Sequence, residues 1–320
     1  MNTASAPPSR RTHCAATPPA SAVGGSLARA VFDACRPKQW VKNVLVLAAP
    51  FAAGRLTDPR AVGGALLAGV AFVLASSATY LINDAGDVKA DRLHPTKSLR
   101  PIAAGRLRVG QARAAASMLV GLALTLAWLS GPTMIVVLAA YLVTTTGYTR
   151  WLKRVPVVDV LVVASGFVLR TAAGAAGAHV PLTPVFLAIA AGGALFIVLG
   201  KRMGELAELG ADAASHRLVL GWYTPVRCTL LLGGALAVTV GAFTVWALGT
   251  GDGASTSSLA TGTVTPAAVA IVPFVAASAR AWLLVRAGRG ADPLRLFASN
   301  RTLQLLGLAM AVLVALSVYA

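Results

Sequence analysis

Apolar residues run along this chain in long blocks, with polar and charged residues gathered between them. Nine blocks stand out, at 41–55, 63–82, 112–130, 133–149, 156–176, 182–200, 228–249, 264–285 and 303–319. Most approach the roughly 20 residues that a helix needs to cross the hydrocarbon core of a bilayer. Inside lipid each backbone amide must be satisfied within the protein, which a helix achieves unaided. The pattern predicts an all-α integral membrane protein, a bundle of nine transmembrane helices. The first block is the shortest and carries Pro50.

Composition agrees with a bilayer as the solvent. The chain is 57% hydrophobic and 12% charged, with a mean hydropathy of +0.73, where soluble domains carry about 25% charge. Its formal net charge of +17 would suit nucleic acid only on a water-facing fold. Here the bases lie between apolar blocks, so membrane lipid and phosphorylated substrates are the expected partners and nucleic acid is not. With the N-terminus cytoplasmic, 25 of the 28 Lys and Arg residues fall on the cytoplasmic side. Arg55 and Arg60 fall outside, and Arg170 lies within a block. That bias predicts an N-terminus inside and a C-terminus outside. Residues 1–28, rich in Ala, Pro, Ser and Thr, lack the apolar stretch of a signal peptide and read as a disordered cytoplasmic tail. The remainder, 29–320, reads as one transmembrane domain. Cys14, Cys35 and Cys228 are scattered without metal-ligand spacing.

Acids are scarce, eleven in 320 residues, yet NDAGDVKAD (Asn83 to Asp91) holds three at the end of an apolar block. If the helix continues through this stretch, Asp84, Asp87 and Asp91 share one face. Like charges at that spacing repel, and the C-terminal end of a helix is already negative. A divalent cation reverses the argument, because Mg²⁺ is commonly held by one or two carboxylates plus substrate phosphates. Asn83 adds a neutral oxygen. The plainer alternative is a solvated helix end paired with Lys89 and Arg92. Asp159 sits just inside an apolar block after Lys153 and Arg154, in YTRWLKRVPVVDV from Tyr148 to Val160. Burying such a carboxylate is costly unless it is paired or metal-bound. In LGKRMGEL, Lys201 and Glu205 stand at i and i+4, as an ion pair or as substrate contacts. Arg170, deep in a block, would line a cavity as a phosphate or lipid contact; three helical turns argue against a direct pair with Asp159.

NDAGDVKAD resembles the NDxxDxxxD motif of the UbiA superfamily of intramembrane prenyltransferases. RPKQWVKNVLVLAAPF (Arg36 to Phe51), DRLHPTKSLRPIAAG (Asp91 to Gly105) and GKRMGEL are similar to the branch that transfers phosphoribose to decaprenyl phosphate for cell-wall arabinogalactan. The likeness covers roughly residues 30–315. The superfamily's second motif, DxxxD, is incomplete: Asp159 is present, but Val155 stands where the first Asp belongs. Asn300 likewise replaces an acid near the C-terminus, so no role is expected of that loop. The resemblance implies Mg²⁺, replaceable by Mn²⁺, on Asn83, Asp84, Asp87 and Asp91. It implies catalytic roles for Asp84, Asp87 and Asp159. Substrate contacts would come from Lys42, Asn83, Asp91, Arg92, Lys97, Arg100, Tyr148, Lys153, Arg154, Arg170, Lys201, Arg202 and Glu205. The substrates would be 5-phosphoribose 1-diphosphate (PRPP) and decaprenyl or another polyprenyl phosphate. The setting would be the bacterial inner membrane with the site facing the cytoplasm, and a homo-oligomer fits the same reading. Two rivals differ from it. Prenyl transfer to an aromatic acceptor needs the acid missing at Val155, and an anionic-solute transporter predicts internal repeats that the chain does not display.

Overall fold

The computed structural model of the chain describes residues 26–210, 218–249 and 265–320, and among them there is no strand. Of the tail expected over 1–28, only its last residues are described. Leu27 already opens a short helix, α1 (Leu27–Ala34), whose cap is the Ser26 hydroxyl accepting from the Arg29 N–H. Eight helices are long and apolar enough to cross a bilayer. They are α3 (Pro59–Gly86), α5 (Val109–Ser130), α6 (Pro132–Arg150), α7 (Val158–Ala178), α8 (Pro184–Leu209), α9 (Pro225–Ala247), α10 (Pro266–Leu284) and α12 (Arg301–Tyr319). Two short helices, α4 (Val88–Arg92) and α11 (Pro293–Ala298), lie between them.

The starts of these helices follow from local chemistry. Thr183, Thr224 and Thr265 each precede a proline, and each hydroxyl accepts the N–H three residues on. Proline at the first helical position has no N–H to strand, and the threonine satisfies one of the orphan donors behind it. Asp58 does the same for α3 through the Arg60 N–H at 2.9 Å. That bond, followed by one from Arg55, holds the Asp58 carboxyl below the usual carboxylate range.

The first apolar block, 41–55, is not one of the eight. Residues Pro37–Leu47 form an 11-residue 3₁₀ helix and Ala48–Ala52 a short α-helix, α2. Pro50 sits where an α-helix would otherwise lengthen. The segment starts at Arg36, beside Asp84 at the end of α3. It finishes near the start of α3, where the Tyr319 hydroxyl touches both the Phe51 carbonyl and the Leu56 N–H at 3.2 Å. At about 2.0 Å per 3₁₀ residue and about 1.5 Å per α residue, its length is about 30 Å.

Helices approach closely where side chains are smallest. Gly174 of α7 has no room for a Cβ because the Val46 carbonyl occupies the place, so the 3₁₀ segment lies directly on α7. Gly64 of α3 and Gly177 of α7 meet backbone to backbone in the same way. In lipid, where apolar burial gives little drive between helices, such contact supplies the packing. The closely packed helices α3, α6 and α7 bring one set of helix ends together on a single face.

Candidate active site

α3 carries the first acidic group, but it does not run through the motif as expected. It stops at Gly86, Asp87 leaves helical geometry (φ −94°, ψ 8°), and α4 resumes at Val88. Hydrogen bonds from Asp87 N–H to Asn83 and from Asp91 N–H to Asp87, both 2.9 Å, carry the register across the bend. The result splits the three aspartates. Asp84 and Asp91 turn inward, 3% and 4% exposed, while Asp87 faces solvent.

Two arginines hold the buried pair. Arg36 Nη2 donates to Asp84 Oδ1 at 2.6 Å. Arg100 Nη1 lies between the carboxylates, 3.1 Å from Asp84 Oδ1 and 2.7 Å from Asp91 Oδ2. The partners considered from sequence, Lys89 and Arg92, are exposed, and Arg92 instead donates to the Ala103 carbonyl at 3.3 Å. Lys97 is exposed as well. Thr149 of α6 donates to Asn83 Oδ1 at 2.9 Å and ties α3 to α6.

Among the described residues no three His, Cys, Asp or Glu side chains gather as metal ligands. The donor chemistry nonetheless suits a hard cation. A positive centre, Arg100 Nη1, already sits between two buried carboxylates, with the Asn83 amide oxygen and the Asp87 carboxylate in the same stretch. Mg²⁺ takes such oxygens and fills the rest of its shell with water and phosphate. Asn83, Asp84, Asp87 and Asp91 are the residues that would hold it.

The second acidic group forms around Asp159. Val157, at φ +67° and ψ −50°, adopts a backbone conformation rare for a β-branched residue. The Tyr223 hydroxyl accepts its N–H at 2.9 Å and donates to Asp159 Oδ1 at 2.6 Å. Arg202 Nε reaches Asp159 Oδ2 at 3.1 Å, and Arg202 Nη1 pairs with Glu205. Asp159 is fully buried and Arg202 is 3% exposed. Burial first, and the bond to Asp159 second, push the Tyr223 phenol up, so it stays a donor. Of the two alternatives for Lys201, the ion pair with Glu205 at i, i+4 is not made: Lys201 is exposed and within electrostatic reach of Lys42, and Arg202, turned about 100° further round the helix, takes Glu205. Arg202, expected to meet substrate, is instead the buried clamp of Asp159. Just ahead of the group, Lys153 is half-buried and Arg154 exposed in a 3₁₀ turn, Leu152–Arg154. Half-buried Tyr148 lies within electrostatic reach of Arg202. Its neighbour Thr149 bonds Asn83, so the last turn of α6 stands between the two acidic groups.

Arg170 makes no ion pair with Asp159. At 7% exposure it donates to Asn43 Oδ1 (2.9 Å), the Gly166 carbonyl (2.6 Å) and the Tyr141 hydroxyl (3.3 Å), and lies over the Tyr141 ring. It fastens the 3₁₀ segment to α6 and α7. Asn43 Nδ2 is buried and finds no acceptor among the described residues. Half-buried Lys42 lies within electrostatic reach of Lys201, Arg170, Arg36 and Asp292. Four residues the sequence reading passed over thus do structural work at the site: Arg36, Asn43, Thr149 and Tyr223. Three of them lay in segments singled out from sequence, Arg36 and Asn43 as the ends of RPKQWVKN and Thr149 in YTRWLKRVPVVDV; Tyr223 lay in none.

Comparison with known proteins places the chain. The model of the UbiA prenyltransferase family matches residues 44–318. A decaprenyl-phosphate phosphoribosyltransferase of Corynebacterium glutamicum is 39% identical over 298 residues, covering 92% of this chain and 88% of that protein. One from Mycobacterium tuberculosis is 38% identical over 296 residues, covering 91% and 93%. A solved UbiA homologue from Archaeoglobus fulgidus, bound to GPP and Mg²⁺, shares the fold with a TM-score of 0.66 at 18% identity, covering 90% of this chain and 98% of that one. On this match along nearly its whole length, with the buried Asp84–Asp91 pair at the heart of its site, the chain belongs to the UbiA prenyltransferase family.

Proposed function

We propose that the protein transfers 5-phosphoribose from PRPP to decaprenyl or a similar polyprenyl phosphate, releasing diphosphate, to make a lipid-linked precursor of cell-wall arabinogalactan. One observation carries the reading: a single carboxylate platform stands among an excess of cations. Asp84 and Asp91 face Arg36 and Arg100, while Lys42 and Lys201 lie nearby with no ion pair among the described residues. Asp159, the remnant of the superfamily's second acidic motif, is engaged by Arg202 and Tyr223. That arrangement suits one Mg²⁺-diphosphate and a second anion better than a prenyl diphosphate on two acidic platforms. Relatives 38–39% identical carry the same activity in their names.

On this reading Asn83, Asp84, Asp87 and Asp91 hold Mg²⁺, with Mn²⁺ able to replace it. When bound, the ion neutralises the diphosphate as it leaves. Arg36, Lys42, Arg92, Lys97, Arg100, Lys153, Arg154 and Lys201 bring two phosphorylated substrates together against their mutual repulsion, a positioning and electrostatic task. An oxygen of the lipid phosphate bonds to C1 of ribose as the bond from C1 to the diphosphate oxygen breaks. A phosphate monoester is already largely ionised at neutral pH, so the nucleophile needs no strong base. Asp159, fixed and buried beside the site, steadies the positive charge that grows on the sugar. We place the site on the cytoplasmic face of the bacterial inner membrane, with the N-terminus inside and the C-terminus outside. The 3₁₀ segment and α2 then supply a ninth crossing, their length of about 30 Å matching the hydrocarbon core.

The test is purified protein in detergent with labelled PRPP and decaprenyl phosphate, with and without Mg²⁺. A parallel tube holds a prenyl diphosphate and 4-hydroxybenzoate. Labelled lipid only in the first tube, dependent on Mg²⁺ and lost in Asp84→Ala, is the expected result. Prenylated aromatic without labelled lipid would overturn the proposal.

A further inference from the structure

The last turn of α6 reaches the first acidic group through one hydroxyl. A helical threonine can turn its single proton onto the carbonyl four residues back, as Thr79, Thr125, Thr144 and Thr244 do at 2.6 to 3.0 Å. Thr149 has that acceptor too, the Thr145 carbonyl at 3.0 Å. It also has one outside its own helix, Asn83 Oδ1 of α3 at 2.9 Å, 66 positions away in sequence. Both side chains are half-buried. A hydroxyl carries one hydrogen and two lone pairs. One proton therefore stands between two acceptors, and the hydroxyl oxygen can itself accept when the proton turns to Thr145. Asn83 needs a partner of that kind. The torsion about its Cβ–Cγ bond is broad and roughly twofold, so rotamer preference does not decide which way the amide oxygen faces. Only that oxygen can ligate a hard cation, because the NH₂ group offers donors alone.

We infer that Thr149 is a positioning residue for the metal platform: it holds the Asn83 amide by donating in the ligand-free protein and by accepting once the amide oxygen turns to Mg²⁺. In the first arrangement Thr149 donates to Asn83 Oδ1. In the second the Asn83 NH₂ group comes round to α6 and donates to the Thr149 hydroxyl, whose own proton turns to the Thr145 carbonyl already within reach. No polar atom of the three residues loses a partner in the exchange, so turning the oxygen to the cation carries no penalty of an unmade hydrogen bond. Valine has nearly the shape of threonine and can neither donate nor accept, whereas serine can do both. The inference rests on the proposed function for the presence of a cation on Asn83.

The test measures Mn²⁺ binding by electron paramagnetic resonance, with the purified full chain in detergent and inorganic diphosphate present, so that no turnover is needed. Thr149→Val should weaken Mn²⁺ binding about threefold to tenfold, the scale of one net hydrogen bond. Thr149→Ser should bind as the native chain does. Asn83→Asp separates orientation from a simple tie between α3 and α6. A carboxylate has two equivalent oxygens and still accepts from Thr149, so in that background Thr149→Val should lose no Mn²⁺ affinity. In turnover, Thr149→Val should raise KM for PRPP by the same factor and leave KM for decaprenyl phosphate unchanged. Unchanged binding in Thr149→Val, Thr149→Ser as weak as Thr149→Val, or equal losses in the Asn83 and Asn83→Asp backgrounds would each overturn the assignment. So would a native chain that takes up no Mn²⁺. A native chain that binds Mn²⁺ with diphosphate but makes no labelled lipid would instead sink the transfer reading, and the binding results would still decide the role of Thr149.

Discussion

Removing Arg202 tests whether Asp159 is held as a buried charge. Asp159 is fully buried, and Arg202 bonds it through Nε at 3.1 Å while reaching Glu205 through Nη1. In Arg202→Met the stem is roughly kept and the charge is lost. Glu205 has 22% of its side chain exposed, so it turns to water at little cost. Asp159 has no such route. Breaking a buried ion pair by removing one partner costs up to about 3–5 kcal/mol, and the Tyr223 bond, worth about 1.5–3 kcal/mol as a bond to a charged group, is present before and after the change. We therefore expect Arg202→Met to lose about 3 kcal/mol or more of unfolding free energy. Adding Asp159→Asn removes the carboxylate that Arg202 neutralises, so the double variant should be more stable than Arg202→Met alone. The coupling should approach 2 kcal/mol, within the range seen for residues in one network. The measurement is a double-variant cycle of unfolding free energies from mixed-micelle denaturant titrations at pH 7. Additive losses, or a loss below about 1 kcal/mol for Arg202→Met, would mean that Asp159 is not an ion held by Arg202.

Two other outcomes follow from the geometry. Because Arg100 and Arg36 occupy the carboxylates that would take Mg²⁺, Mg²⁺ should bind weakly alone and at least tenfold more tightly with diphosphate present; calorimetric titrations with each partner absent and present measure this, and equal affinities would refute it. The Tyr223 phenol is pushed up, so its donor proton is held in the folded protein beyond the ordinary tyrosine range near about pH 10. Its support of Asp159 is fully present below that pH, and the activity ratio of native protein to Tyr223→Phe should be flat from pH 7 to about 10; a ratio that falls toward one across neutral pH would refute it.

The membrane-spanning helices were legible because length and hydropathy are one-dimensional properties. The first block was not, since a 3₁₀ helix and an α-helix of equal composition differ only in backbone geometry. Here that geometry is set by contacts distant in sequence: Gly174 against Val46, and Arg170 on Asn43. The acidic motif was legible as chemistry and only partly as geometry. Counting residues gives Asp84, Asp87 and Asp91 one face on a continuous helix, but the bend at Asp87 sends its side chain to solvent. Pairing proved hardest to read. Asp84 takes Arg36 from 48 positions away in preference to nearby Lys89 and Arg92, and Asp159 takes Tyr223 from 64 positions on. Tyr223 stands in a polar connection between spans, where nothing in periodicity marks it.

The same distant pairing bears on how the proposed site accepts its substrates. Asp84 and Asp91 are buried, and unpaired buried carboxylates would be expensive before any ligand arrived. Arg36 and Arg100 remove that cost in the ligand-free protein, at 2.6 to 3.1 Å. Each arginine side chain is about 30% exposed (30% and 28%), so both can swing toward an arriving anion, whereas the carboxylates are fixed on helical backbone. On the proposed reading Asp84 and Asp91 would hold the Mg²⁺ of a metal diphosphate while Arg36 and Arg100 turn to its phosphate oxygens, so that every charge would find a new partner at once. Neither half of that ligand does so alone, since Mg²⁺ by itself would displace arginines into nothing and diphosphate by itself would strand the aspartates. On the proposed reading, exchange of ion pairs is what makes the donor and its metal bind together. It would also account for the cluster of acids here: arginine cancels its repulsion in the ligand-free protein, and Mg²⁺ on Asp84 and Asp91 would do so once the donor is bound.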